Sequence, residues 1–269
     1  MNKRFQLALI DLDGTLWRGG TVIPGAPEFV LRLRDSGIRP VFFTNNSTRT
    51  PEEVVYALEN CKIRAEAEEV CTSAQAAAHV LHSKIKAGSI VTYVGGSGLQ
   101  TALEAERFDA RRAKESELHS TWLGDAQGAV VGMDVTVSYM DLAVVCRVAH
   151  RLGWFVLTNP DVRLPVEDGF LPGNGSLGAL VATASGTKPI VTGKPDATFV
   201  DFALERYGVA REDAVIIGDN LYTDILAGNH ADVYSILVKT GVTLPGDDDH
   251  IHPNEIVESV DNIFRQESR

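Results

Sequence analysis

The sequence predicts an α/β protein built on a mostly parallel sheet. Short apolar runs alternate with amphipathic stretches along the whole chain. The runs are continuously apolar, the pattern of strands buried on both faces, where a half-exposed antiparallel strand would alternate. Most end in Gly, Asn, Asp or Thr, so polar residues gather where the strands stop. In such sheets ligands bind beyond the carboxyl ends of the strands, and those ends are where chemistry is to be sought.

The candidate strands are QLALID (6–11), RPVFFTN (39–45), SIVTYVG (89–95), GAVVGM (128–133), WFVLTN (154–159), DAVIIGD (213–219) and YSILVKTG (234–241). Helical patterns lie between them. APEFVLRLRDSG (26–37) spaces Phe29, Val30 and Leu33 on one face and stops at Gly37. TPEEVVYALENC (50–61) opens with a Thr50 cap, Pro51 in the first turn and Glu52 and Glu53 behind it. PDATFVDFALERYG (195–208) repeats that grammar, with Asp196 early and Gly208 at the end. Strand–helix alternation of this kind implies right-handed crossovers.

Composition excludes several function classes. The 269 residues are 44% hydrophobic, ample for a packed core. Thirty-six acidic against 25 basic side chains give a net charge of -11, which repels nucleic acid phosphates and anionic membrane surfaces. RFDARR (107–112) is too short and mixed to form a basic patch. The apolar run at Phe5–Ile10 is interrupted by Gln6 and ends at Asp11, which a secretory signal does not allow. No window approaches the roughly 20 apolar residues of a membrane span. Cys61, Cys71 and Cys146 are scattered and odd in number, fitting reduced thiols rather than disulfides or a zinc site. A cytoplasmic protein with neither nucleic acid nor membrane as partner is expected.

The first strand poses the chemical question. FQLALIDLDGTL (5–16) ends in Asp11 and Asp13, and residues two apart on a strand point the same way. Two carboxylates in one small volume repel, and one tends to keep a proton. A divalent cation relieves this, as does a division of roles between nucleophile and acid/base. Three other strand ends add matching groups. Thr44 and Asn45 in VFFTNN offer a hydroxyl and amides for phosphate oxygens. Lys194 in GKP is a point charge for phosphate. Asp219 and Asp224 in VIIGDNLYTDI lie about one helical turn apart, and sparse carboxylates are what Mg²⁺ takes.

In this order, DLDGTL, FFTNN, GKP and GDNLYTDI resemble the four motifs of the haloacid dehalogenase (HAD) superfamily of phosphohydrolases, and the match runs over nearly the whole chain. The gap of about 150 residues between Thr44 and Lys194 exceeds what one helix needs. The resemblance therefore implies a Rossmann-like parallel-sheet core, residues 1–74 and 190–269, with an α/β cap domain, residues 75–189, inserted for substrate selection. Within the insert, TNPDVRLPVEDGFLPGNGSL (158–177) resembles the hallmark of the NagD-like, class IIA branch.

The resemblance also implies roles. Asp11 would be the nucleophile and form an aspartyl-phosphate; Asp13 would be the general acid/base. Mg²⁺ would be held by Asp11, the Asp13 backbone carbonyl and Asp219, with Asp224 close by. Thr44 and Asn45 would hold the phosphoryl oxygens and Lys194 would neutralise charge. Asn159 and Asp161 would face the leaving group. The substrate would be a small phosphorylated metabolite, and a homodimer through the cap is compatible. The same chemistry serves phosphotransferases and phosphomutases. Receiver modules share Asp, Thr and Lys at strand ends, but they are much shorter and lack the acid two residues past the phosphorylated Asp.

Other features invite blander readings. YVGGSGL (93–99) lacks half of either phosphate-loop fingerprint and reads as a strand-to-helix turn. DDDHIHP (247–253) has metal-ligand types but reads as a solvated loop. His79 and His82 lie three apart on a predicted helix, as surface or boundary residues. Trp17 and Arg18 follow the first motif, where relatives carry a flap; Trp17 is read as core or substrate gate.

Overall fold

Leu7–Ile10 is buried along its whole length, as four apolar residues with no side to offer solvent require. It is the fourth of six strands in one sheet, ordered Glu255–Val257, Tyr234–Val238, Ala214–Gly218, Leu7–Ile10, Arg39–Thr44 and Val70–Thr72. Its pairings with Ala214–Gly218 and Arg39–Thr44 are both parallel. The chain leaves this strand to build one side of the sheet and later returns to build the other, so a topological switch point lies at its carboxyl end. The structure is a computed structural model and describes residues 5–166, 168–241 and 250–263. Asp247–Asp249 of the loop DDDHIHP lie outside those residues.

The chain divides into two units. The first comprises Met1–Thr44, Pro51–Cys71 and Lys194–Arg269; the second comprises Asn45–Thr50 and Thr72–Gly193. The first packs its helices on the six-stranded sheet. Ala26–Asp35 buries Phe29, Val30 and Leu33, and Pro51–Asn60 buries Val54 and Leu58. Both insert into the cluster formed by Ile10, Phe42, Val215 and Ile236. Ala197–Tyr207 starts where Asp196 accepts a bond from the Thr198 amide and stops at Gly208, which takes the left-handed conformation with φ 65°. That is the grammar its sequence predicts.

The second unit has its own parallel sheet, ordered Lys188–Val191, Trp154–Leu157, Gly128–Val131, Ile90–Val94 and Asp109–Arg112. Its longest helix, Tyr139–Leu152, is opened by reciprocal bonds between Ser138 and Asp141. Leu142, Val145 and Val148 pack from it onto the sheet.

Several elements escape the sequence patterns. The edge strand Asp109–Arg112 is polar because only one of its sides pairs, so RFDARR reads as charge and not as strand. Arg163–Val166 and Gly169–Pro172 form a separate antiparallel hairpin. Its apolar residues include Leu164, Phe170 and Leu171, all exposed. His79 and His82 lie on Ser73–His82, half-buried and exposed respectively. YVGGSGL is a strand-to-helix turn. Gly98 in it is required by packing, since a Cβ there would meet the Arg49 carbonyl oxygen at 2.2 Å. Among the described residues no helix is long and apolar enough to cross a membrane.

Candidate active site

Three adjacent strands of the first unit deliver polar residues to one end of its sheet. Asp11 follows Leu7–Ile10, Thr44 ends Arg39–Thr44, and Asp219 follows Ala214–Gly218. Lys194 enters from the turn before the Ala197–Tyr207 helix. Asp224 sits on the π-helical turn Leu221–Ile225, whose wider winding shows in the bond from the Ile225 amide to the Asn220 carbonyl, 3.3 Å. Asn220 caps this turn by accepting from the Tyr222 amide at 2.9 Å. Carboxylate oxygens of Asp11, Asp219 and Asp224 all lie within 4.8 Å of one another.

Glycines make that crowding sterically possible. Gly14 has φ +86°, and a Cβ there would fall 2.4 Å from an Asp219 carboxylate oxygen. At Gly218 a Cβ would meet the Asp224 carboxyl carbon at 2.2 Å. The glycine of the first motif therefore makes the turn and leaves room for a carboxylate from another strand.

Lys194 is the counter-charge. Its ammonium donates to Asp11 Oδ1 at 2.5 Å, Asp224 Oδ1 at 2.7 Å and the Phe43 carbonyl at 3.2 Å, which uses all three of its protons. Lys194 is 2% exposed, and its ammonium lies 5.5 Å from the centroid of the Phe43 ring. Burial alone would lower its pKa, but the Asp11 and Asp224 carboxylates overcome this and raise it, so the ammonium stays charged. Asp11 is pushed well up, first by burial and then by Asp224 and Asp219, against the pull of Lys194. Three acidic side chains cluster around one ammonium. A divalent cation would add positive charge there, and an all-oxygen set suits Mg²⁺. These residues fit such an ion.

Asp13 lies in a different environment. It is exposed, and its Oδ1 accepts a bond of 2.7 Å from the indole N–H of Trp17. The turn from Leu12 to Trp17 closes through the Gly14 amide on the Trp17 carbonyl, 2.6 Å, and the Leu16 amide on the Leu12 carbonyl, 2.8 Å. Trp17 then pairs with Val22 across a short hairpin. The Arg18 guanidinium donates to the Thr240 carbonyl, and Thr240 Oγ1 donates to the Gly14 carbonyl at 2.6 Å.

The remaining sequence-predicted residues gather in the second unit. Asn45 Nδ2 donates to Asp161 Oδ2 at 3.2 Å, and Asn159 Nδ2 donates to the Asn45 carbonyl at 2.9 Å. The Asp161 amide donates to Asn159 Oδ1 at 3.2 Å. Gly193 permits this packing, since a Cβ there would meet the Thr158 carbonyl oxygen at 2.3 Å. Two residues without a role in the sequence reading hold the group in place. Asn174 is buried, and its Nδ2 donates to the Asn159 carbonyl and to Thr158 Oγ1, both at 3.0 Å. Ser47 accepts from Thr158 Oγ1 at 3.1 Å. An Asn one residue past a Gly carries no signal of burial, and Ser47 is simply the residue after FFTNN; neither role was legible. The indole–carboxylate bond of Trp17 could have been suspected from its separation of four residues from Asp13 and the turn at Gly14.

Residues 8–109 match the family described as haloacid dehalogenase-like hydrolase, and residues 191–263 match a HAD-hydrolase-like family. The chain is 38% identical over 241 residues to an acid sugar phosphatase of Staphylococcus saprophyticus, spanning 90% of this chain and 89% of that protein. A glycerol phosphate phosphatase from Mycobacterium tuberculosis, solved in complex with magnesium, superposes with a TM-score of 0.84 at 32% identity, over 96% of this chain and 75% of that one. A p-nitrophenyl phosphatase from Archaeoglobus fulgidus gives 0.84 at 26% identity, over 96% and 97% of the two chains.

The charge imbalance yields a direct expectation. A divalent cation at a hundred times its dissociation constant should stabilise the protein by about 2.7 kcal/mol over the chelated form. Asp219→Asn should lose most of that gain while staying folded. Thermal midpoints with MgCl₂ and with EDTA measure both; equal gains in the two proteins would exclude Asp219 as a ligand.

Proposed function

Because the chain belongs to the haloacid dehalogenase-like hydrolases, in their NagD-like phosphatase branch, we propose that it is a Mg²⁺-dependent phosphatase of small phosphate monoesters working through an aspartyl-phosphate. The observation that carries this reading is the buried Lys194 ammonium held between Asp11 and Asp224, with Asp219 beside them. Acid sugar phosphatases and a glycerol phosphate phosphatase among the similar proteins support sugar and polyol phosphates as the substrate class.

The steps follow from the two environments. An Asp11 carboxylate oxygen attacks phosphorus, and the bond from phosphorus to the leaving oxygen breaks. Asp13 gives its proton to that oxygen, releasing an alcohol and leaving Asp11 phosphorylated. Asp13, now a carboxylate, takes a proton from the water that attacks the same phosphorus. Inorganic phosphate leaves and both side chains are restored. Thr44 and the Asn45 amide hold the phosphoryl oxygens, and Lys194 offsets charge on the nucleophile and phosphate. Asp11, Asp219 and the Asp13 carbonyl would hold Mg²⁺, with Asp224 near it; the ion neutralises charge on the transferring group.

The first unit, in this reading, is the catalytic core and the second is a cap that selects substrate through Asn159 and Asp161. Three free thiols, with Cys61 and Cys71 buried, support a cytoplasmic location. Exposed Leu164, Phe170 and Leu171 on the hairpin support a homodimer through the second unit.

Each element has its own test. Asp11→Asn should remove hydrolysis and leave no acid-stable phosphoprotein. Asp13→Asn should slow turnover by about 10²–10⁴ yet accumulate phosphoprotein when the leaving group is a good one, seen by acid quench and mass spectrometry. Full activity of Asp11→Asn would overturn the mechanism. Asp161→Ala should reorder kcat/KM across a panel of phosphate esters; an unchanged ranking would remove Asp161 from substrate selection. Sedimentation velocity should show a dimer that Phe170→Lys dissociates, and a wild-type monomer would refute the interface.

A further inference from the structure

From the bond between the Trp17 indole and Asp13, we infer that Trp17 is a positioning residue that assigns separate tasks to the two oxygens of the acid/base carboxyl. The inference rests on the reading of Asp13 as general acid/base.

The indole Nε1–H donates to Asp13 Oδ1 at 2.7 Å, and an indole nitrogen can only donate. Oδ1 is thereby an acceptor of this bond in both steps, and the proton transferred to the leaving oxygen belongs on Oδ2. Among the described residues no side chain donates to Oδ2, and Asp13 is exposed. One oxygen is held by the protein, and the other is open to substrate and water. Without the indole, rotation of the carboxyl group would place the proton on either oxygen.

The indole is well anchored for this purpose. Trp17 is 6% exposed and packs in the core cluster with Leu12, Leu16 and Ile23. Its amide donates to the Leu12 carbonyl at 3.2 Å, and its carbonyl accepts from Gly14. The flanking hairpin is tied through Arg18 to the carbonyls of Thr240 and Gly241. A side chain that only filled the core would need no polar atom here. Phe would pack similarly without an N–H to satisfy.

The test separates proton delivery from packing. A poor alkoxide leaving group needs a proton from Asp13; p-nitrophenolate is stable enough to leave without one. Trp17→Phe should therefore lower kcat/KM for glycerol phosphate about tenfold more than for p-nitrophenyl phosphate. Asp13→Asn should show the same selectivity at about 10²–10⁴. If Asp13→Asn is selective and Trp17→Phe lowers both substrates equally or neither, the positioning role is overturned and the phosphatase reading stands. If Asp13→Asn itself shows no selectivity, the reading of Asp13 falls and the inference with it. Should Trp17→Phe fail to fold, replacing Trp17 with benzothienylalanine, an indole isostere that lacks the N–H, asks the same question with the core intact.

Discussion

A single buried ammonium holds the candidate site together. Lys194 donates to Asp11, Asp224 and the Phe43 carbonyl, and these groups come from four separate stretches of chain. Removing one partner from a buried charge pair typically costs about 3–5 kcal/mol, because the other is left uncompensated. The geometry around the ammonium is accordingly constrained from every side. Parallel pairing sets the ends of Leu7–Ile10, Arg39–Thr44 and Ala214–Gly218 side by side. Gly14 and Gly218 remove the methyl groups that would collide with Asp219 and Asp224. The π-helical turn rotates Asp224 toward Lys194, where the bond forms at 2.7 Å.

One positive charge is nevertheless too few. Asp11, raised first by burial and then by its carboxylate neighbours, is poised unfavourably without further compensation. In the proposed mechanism the nucleophile must be ionised to attack, so the burial of Asp11 works against the form that mechanism needs. A divalent cation beside Asp11 would favour its carboxylate form in the same direction as Lys194 does. The packing of these acids thus gives a reason for a metal besides the charge of the phosphate ester.

The sequence carried the first unit far better than the second, and the reason is physical. Asp11, Thr44, Lys194, Asp219 and Asp224 each sit at the end of a continuously apolar run or beside a helix cap, so their type and place are both visible. The seven apolar runs each contain a strand, trimmed at the ends. Other strands were lost: Asp109–Arg112 is a polar edge strand, and the hairpin carries Leu164, Phe170 and Leu171 exposed in runs too short to read as buried strands. Asn174 and Ser47 were invisible because they fill hydrogen bonds of groups distant in sequence, which no local pattern encodes. Trp17 sat between these cases. Core packing was one of its two sequence readings, and the use of its one polar atom was hinted at only by the four-residue separation from Asp13 and the turn at Gly14.

That atom bears on the pair of acids that opens the chain. Asp11 and Asp13 are separated by one residue, so local sequence alone makes them look equivalent. Their surroundings differ completely. Asp11 is tied to a buried ammonium and crowded by two acids, an environment that fixes its direction and demands a cation. Asp13 faces solvent with one oxygen held by a neutral donor and the other open. A carboxylate locked onto Lys194 cannot swing to collect protons from water, and one exposed to solvent lacks the charge that would steer it onto phosphorus. In the proposed mechanism, two different environments for the same chemical group divide attack from proton transfer. In that proposal the residues behind each carboxylate set the division, Lys194 for one and Trp17 for the other.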